Sequence, residues 1–323
     1  MLDVDTFLTA LYVIVDDFHK SRAPKRRPGP EPTISDSEVV TLAIFARFSR
    51  FASERDFYRY AESSLRNAFP TLPERSQLNR RVRSLVGLVE EVAVHLAQLM
   101  RVRGCPFEGL DSAAMVVRDS KRRGAGWLAG QADIGWSNRL GWYEGFKLLV
   151  AVSPKGVITG FGFSCASTAD QPLAETFFDS RSHSEPPLAS VGRAAASGCY
   201  VADKGFEGTE NHRRWLECYG AELIHPPKRN SKMPCSKRLR RWVASLRQIV
   251  ETVYDKLLNA FGLHRERPHE MRAARGRVWQ RGWLCTTSAS GSTTSSVAPG
   301  WLSPTCWRGD PNNSHQAFKK LKN

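Results

Sequence analysis

The sequence predicts an α/β layer built on a mixed sheet, preceded by an all-helical region. Three observations lead there. Residues 1–104 carry helix-start signals and 3.6-residue apolar spacing, with no alternating runs. From Phe107 the texture changes to the order strand, strand, strand, helix, strand, helix, strand, helix. Within that order, Tyr200-Val201-Ala202-Asp203-Lys204-Gly205-Phe206 reads as a short buried strand ending in a carboxylate, then a Gly turn and a polar helix.

The front region begins with a helix over residues 2–18, whose Phe7, Leu8, Leu11, Ile14 and Val15 share a face. Lys25, Arg26 and Arg27 precede Pro28-Gly29-Pro30, a basic loop or arm that cannot be helical. Ser35-Asp36-Ser37-Glu38 is a capping box opening a helix to about Arg50. Ser53 opens another to about Phe69, and after Pro70–Pro73 a long helix should reach about Val102. Arg75, Arg80, Arg81 and Arg83 on that last helix suit a helix-turn-helix-like DNA-binding unit, and equally the solvated face of a plain bundle.

In the second region Leu110–Val117 reads as a strand, and Arg118–Trp142 as a basic, Gly-rich excursion. Lys147–Val152 and Val157–Cys165 form a hairpin around Pro154-Lys155-Gly156. A helix near 171–182, the strand at 199–203, a helix at 207–219 and a strand at 221–225 follow. Residues 228–241 hold Lys228, Arg229, Lys232, Lys237, Arg238, Arg240 and Arg241 and no acid. The last helix, about 242–261, places Trp242, Leu246, Ile249, Val250, Val253, Leu257 and Phe261 at core spacing.

Charge points to the partner. Lys and Arg number 47 against 32 Asp and Glu, a net charge of +15, which favours a polyanion and most simply nucleic acid. Seven scattered cysteines without a C-x-x-C pair argue against a zinc site or a disulfide framework. The N-terminus is acidic where a signal peptide is basic, and no apolar run approaches the ~18–20 residues of a membrane span. A cytoplasmic location is expected.

Three carboxylates are the candidates for chemistry: Asp111 on the first strand, Asp203 at the end of a later strand, and Glu251 on the last helix. Hard oxygen ligands on rigid elements are what Mg²⁺ needs when phosphodiesters are cut or joined. Arg247 lies four residues before Glu251, where it can pair with it or hold a phosphate.

Leu110-Asp111-Ser112, Val201-Ala202-Asp203-Lys204-Gly205-Phe206 and Arg247-x-x-x-Glu251 resemble the three acidic motifs of bacterial insertion-sequence DDE transposases. The resemblance covers most of residues 1–270 and includes Ser167-Thr168-Ala169-Asp170 after the hairpin. It implies a ribonuclease-H-like catalytic domain that cuts and joins the ends of a mobile element. Asp111, Asp203 and Glu251 would ligate two Mg²⁺ ions, with Mn²⁺ as a substitute. It also implies DNA partners, element ends and target, and fits a homodimer on DNA. Where many relatives carry an accessory Tyr and Lys, this chain has Ala244 and Leu258, with Lys256 the nearest replacement. The rival is a non-catalytic DNA-binding protein, a defective copy occupying element ends.

The expected division is 1–104 helical and DNA-binding, 105–276 catalytic, and 277–323 a disordered tail. Residues 285–300 contain nine Ser or Thr and show no helical period. Codons for Arg277–Arg308 can be chosen so that the frame one base earlier encodes an amphipathic helix and a core-like tail. A frameshift near 272–277 is therefore expected.

Overall fold

A computed structural model describes residues 4–22, 32–47, 51, 53–99, 107–118, 128, 132–183, 196–226, 237–265, 276–278 and 280–282. Five helices come first: α1 (Val4–Lys20), α2 (Asp36–Phe45), α3 (Glu54–Ser64), α4 (Arg75–Ser84) and α5 (Val86–Leu99). The remaining elements alternate: β1 (Phe107–Arg118), β2 (Asp133–Ser137), β3 (Gly141–Val152), β4 (Ile158–Cys165), α6 (Asp170–His183), β5 (Gly198–Val201), α7 (Thr209–Tyr219), β6 (Ala221–Ile224) and α8 (Lys237–Asp255).

The capping box forms as its spacing requires. The Glu38 amide donates to Ser35 Oγ, and the Ser35 amide donates to Glu38 Oε2 at 2.9 Å. The helix it opens ends at Phe45 rather than near Arg50. The helix expected to run unbroken to Val102 divides at Leu85, where φ −100° and ψ 12° close α4. This one-residue break re-aims the chain, so that Leu85, Leu88, Val89, Val92 and Leu96 all bury in the core.

The sheet has six strands in the order β2-β3-β1-β5-β6, with β4 also on β3. β3 pairs antiparallel with both β1 and β4, and β5 and β6 add in parallel beside β1. An antiparallel set followed by two parallel strands, with helices on both faces, is the ribonuclease-H-like order. β2 was not expected. It extends β3 antiparallel through the pairs Asp133↔Gly145 to Ser137↔Gly141. Its Ile134 and Trp136 share the exposed face, Trp136 packing edge-on against Trp142, while Gly135 is buried, so the alternation is present but spans only five residues inside a basic, Gly-rich stretch.

Successive residues of β3 serve opposite faces. Leu148, Val150 and Val152 join α8 and the front helices in one core, while Leu149 and Ala151 join α6 and α7 in another. Between sheet and helix, Arg181 of α6 grips buried Glu108 of β1 with both terminal nitrogens, at 2.6 and 3.2 Å, and reaches the Tyr200 hydroxyl of β5. Two charges this deeply buried are held in register by their mutual hydrogen bonds.

Packing continues past the boundary expected at 277. Residues 276–278 and 280–282 are helical, and Val278, Gln280 and Arg281 are buried. Arg47 Nε donates to Gln280 Oε1 at 2.6 Å, and Arg281 Nε donates to the Phe261 carbonyl at 2.7 Å. The Ser/Thr-rich stretch 285–300 lies outside the described residues.

Candidate active site

Asp111 stands where β1 leaves its partner β5. The parallel pairing ends at Gly109↔Val201, and two residues further along each strand stand Asp111 and Asp203. Asp203 caps a single 3-10 turn, Lys204–Phe206, by accepting from the Lys204 amide at 2.6 Å. Asp111 accepts from the Ser112 amide at 2.8 Å.

The third acid arrives on α8. Gly109 and Asp111 share one face of β1, and α8 crosses at Gly109, where a Cβ would overlap the Val250 side chain. Only glycine admits that approach, and Glu251 follows Val250 on the helix that makes it. Arg247 binds both outer acids, 3.4 Å from Asp203 Oδ1 and 3.6 Å from Glu251 Oε1. The structure thus gathers Asp111, Asp203 and Arg247, with Glu251 joined through the guanidinium and its side chain 60% exposed.

Burial raises Asp111 to about 6. The Ser112 amide and Arg247 oppose that rise, and the charges of Asp203 and Asp170 add to it. A carboxylate held high by burial and like charge is one that a cation relieves. Among the described residues no three His, Cys, Asp or Glu side chains already surround a single point suited to a metal. Arg247 lies between Asp203 and Glu251 and pairs with both. Asp111, Asp203 and Glu251 would offer only carboxylate oxygen, the donor type that a hard divalent cation takes.

Two residues outside the three acidic motifs pack around the site. Tyr254 of α8 is buried, and its hydroxyl lies 2.8 Å from the Asp111 carbonyl and 2.9 Å from that of Leu148. It fastens the Glu251 helix to the Asp111 strand, and burial pushes its phenol well above the usual value. Its place four residues after Val250 was the available signal. Tyr254→Phe should cost about 1–3 kcal/mol in denaturant unfolding, because buried carbonyls lose their donor. An unchanged midpoint would show that the bond does not hold the helix. The second residue is Asp170, at the start of α6.

The basic candidates fare unevenly. Arg80 is exposed, and Arg81 is paired with Asp36 at 2.5 Å inside the helical front region. Arg241 is exposed on α8, while Lys237, Arg238 and Arg240 lie in the first turn of that helix. Lys25, Arg26, Arg27, Lys228, Arg229 and Lys232 fall outside the described residues. Among the described residues, no helix is long and apolar enough to cross a membrane.

A sheet of ribonuclease-H-like order with carboxylates at adjoining strand ends defines the class: an α/β protein with a charged strand-end site. Residues 110–286 match the family model for the transposase DDE domain, more than half of the 323-residue chain, and the chain belongs to that family. No curated protein matches it. Two solved structures are similar at low level. A pre-cleavage Mos1 transpososome shows 12% identity over 86% of each chain, with a TM-score of 0.24. The Mos1 mariner paired-end complex with Mn shows 10% identity over 91% of this chain and 100% of that one, with a TM-score of 0.22.

Proposed function

We propose that the protein is a DNA transposase that cuts and joins the ends of a mobile element, with Asp111, Asp203 and Glu251 as metal ligands. The single observation that supports this most is the meeting of Asp111 and Asp203 at adjoining strand ends with α8 packed across Gly109. Two Mg²⁺ ions, or Mn²⁺ in their place, would supply activation of the attacking oxygen and stabilisation of the leaving oxygen. The chain's own share is positioning. β1 and the turn after β5 fix two carboxylates, Tyr254 fixes the helix carrying the third, and Arg247 stands where a phosphate can be gripped.

Double-stranded DNA is the proposed partner, at element ends and target, met by residues 1–104 and by the basic residues from 228 to 247. The charge of +15 supports that reading. The direct test is incubation of the purified chain with Mg²⁺ and a labelled element end. Nicking followed by strand joining supports the transposase. Binding without cutting supports a non-catalytic occupant of element ends, and cutting without joining supports a different nuclease on this fold.

The basic run admits its own test. Neutralising Lys237, Arg238, Arg240 and Arg241 together should weaken binding similarly across sequences. The log–log salt slope should shrink by about 0.9 for each phosphate that is no longer neutralised. An unaltered slope would make the run a solvated surface.

The second reading, a defective copy, rests on the sequence of the tail: the alternative frame can encode Ala at positions 280 and 281. Against it, buried Gln280 and Arg281 each have a hydrogen-bond partner. Recoding the gene to read that frame should raise the melting temperature by about 2–4 °C per kcal/mol of packing gained. Cleavage should rise with it, since the three acids are untouched. A repaired chain that melts no higher defeats the frameshift reading.

A further inference from the structure

We infer that Asp170 is a positioning residue for the site, a brace that holds the turn carrying Asp203 at a fixed place relative to Asp111. The inference rests on the proposal that those two acids are metal ligands. It starts from three contacts made by one carboxylate. Asp170 Oδ1 accepts from Ser112 Oγ of β1 at 2.6 Å and pairs with Lys147 Nζ of β3 at 2.8 Å. Asp170 Oδ2 lies directly against Gly205, so close that a Cβ on that glycine would overlap it.

Gly205 belongs to the turn that begins at Asp203, and Ser112 follows Asp111. Asp170 therefore touches the immediate neighbourhood of both proposed ligands. It does so from behind. Ser112 and Lys147 have the strand parity of the α6 face, whereas Asp111 shares its parity with Gly109, the residue that α8 crosses. Gln171 strengthens the clamp, its side-chain amide donating to the Glu207 carbonyl at the far end of the turn. Lys147 Nζ also donates to the Thr168 carbonyl at 3.1 Å, which fixes the chain just before α6.

The chemistry matters because β5 ends at Val201 and the last bond to β6 is from the Ala202 amide to the Ile224 carbonyl, one residue before Asp203. The far part of the turn is held by buried Phe206 and by His212 at the Phe206 carbonyl, while Asp170 is the contact at Gly205 between them. Partners of this kind set the direction of a ligand and commonly change metal affinity about 10–100-fold when removed.

The test uses the full chain with Asp170→Ala and Asp170→Asn. Two readouts are taken: amide hydrogen exchange across 203–207 without metal, and Mn²⁺ binding followed by electron paramagnetic resonance. Asp170→Ala should speed exchange in the turn about tenfold while leaving α2–α4 unchanged, and should weaken Mn²⁺ binding about tenfold or more. Asp170→Asn keeps an acceptor for Ser112 and Lys147 and the bulk against Gly205, and should keep both near the unmodified values. If Asp170→Ala fails to fold, Gly205→Ala presses on the same contact from the other side and should loosen the same turn. Unchanged exchange in the folded variant overturns the brace. Equal loss of Mn²⁺ by the Ala and Asn variants also overturns it, since the charge itself would then be the ligand. Absence of Mn²⁺ binding by the unmodified chain would refute the ligand reading, a result the exchange data keep separate.

Discussion

Asp203→Asn is expected to reduce Mg²⁺-dependent strand cleavage to background while leaving DNA binding in metal-free buffer close to that of the unmodified chain. The substitution is nearly isosteric. The amide oxygen can still accept from the Lys204 amide, so the cap of the 3-10 turn should survive. What disappears is one negative charge among the oxygens that would hold the metal, together with the ion pair to Arg247 at 3.4 Å. Side chains at that pair are 35% and 39% exposed, so its loss should change stability little. The freed Arg247 retains Glu251 as a partner. Cleavage and binding therefore separate: the first needs the carboxylate, the second needs the cations. Gel-shift and cleavage assays on the same labelled DNA check this. Full cleavage by the mutant would remove Asp203 from the ligand set.

The parts of this molecule that were legible in the sequence are those governed by neighbours a few residues apart. The capping box at Ser35–Glu38 is an i,i+3 pattern, and it formed as read. The strand before Asp203 announces itself through apolar Tyr200-Val201-Ala202 meeting Asp and Gly, because a buried run must stop where polar turn residues begin. The order of strands and helices after Phe107 followed from the same local signals.

What escaped depends on distant partners. β2 pairs along the edge of β3 through Asp133–Ser137, and its own alternation, five residues long with the apolar side chains facing out, was too short to single it out. The break at Leu85 serves packing against α1 and α2, and nothing at the residue itself forbids a continuous helix. Tyr254 and Asp170 act across 143 and 58 residues of chain. Neither spacing nor composition encodes which backbone carbonyl a tyrosine will meet. The three candidate acids and Asp170 stand in motifs that the sequence displays, but what Asp170 and Tyr254 touch became visible only when the sheet brought the elements together.

Asp111→Asn is expected to make the metal-free protein more stable at neutral pH. Asp111 titrates at about 6 in the folded chain against 3.8 as its ordinary value, chiefly because of burial. The folded state therefore holds the Asp111 proton more tightly than the unfolded state. Stability contributed by that proton is complete below about pH 4, falls as pH rises, and is gone above about pH 6–7. The total is about 2–3 kcal/mol, from a shift of roughly two units at 1.36 kcal/mol each. Asparagine copies the uncharged form at every pH. The difference in unfolding free energy between Asp111→Asn and the unmodified chain should thus be small near pH 4. It should grow in favour of the mutant through pH 4–6 and level off above pH 7. Because both proteins share every other titrating group, the difference isolates this one. Divalent cation should reverse the ranking: Mg²⁺ favours the ionised carboxylate, so it should raise the melting temperature of the unmodified chain and do little for the mutant. Thermal unfolding from pH 4 to 8, with chelator and then with Mg²⁺, reads both effects. A mutant less stable than its parent at pH 7.5 in chelator would show that Asp111 is held by favourable contacts. The strain that a metal is proposed to relieve would then be absent.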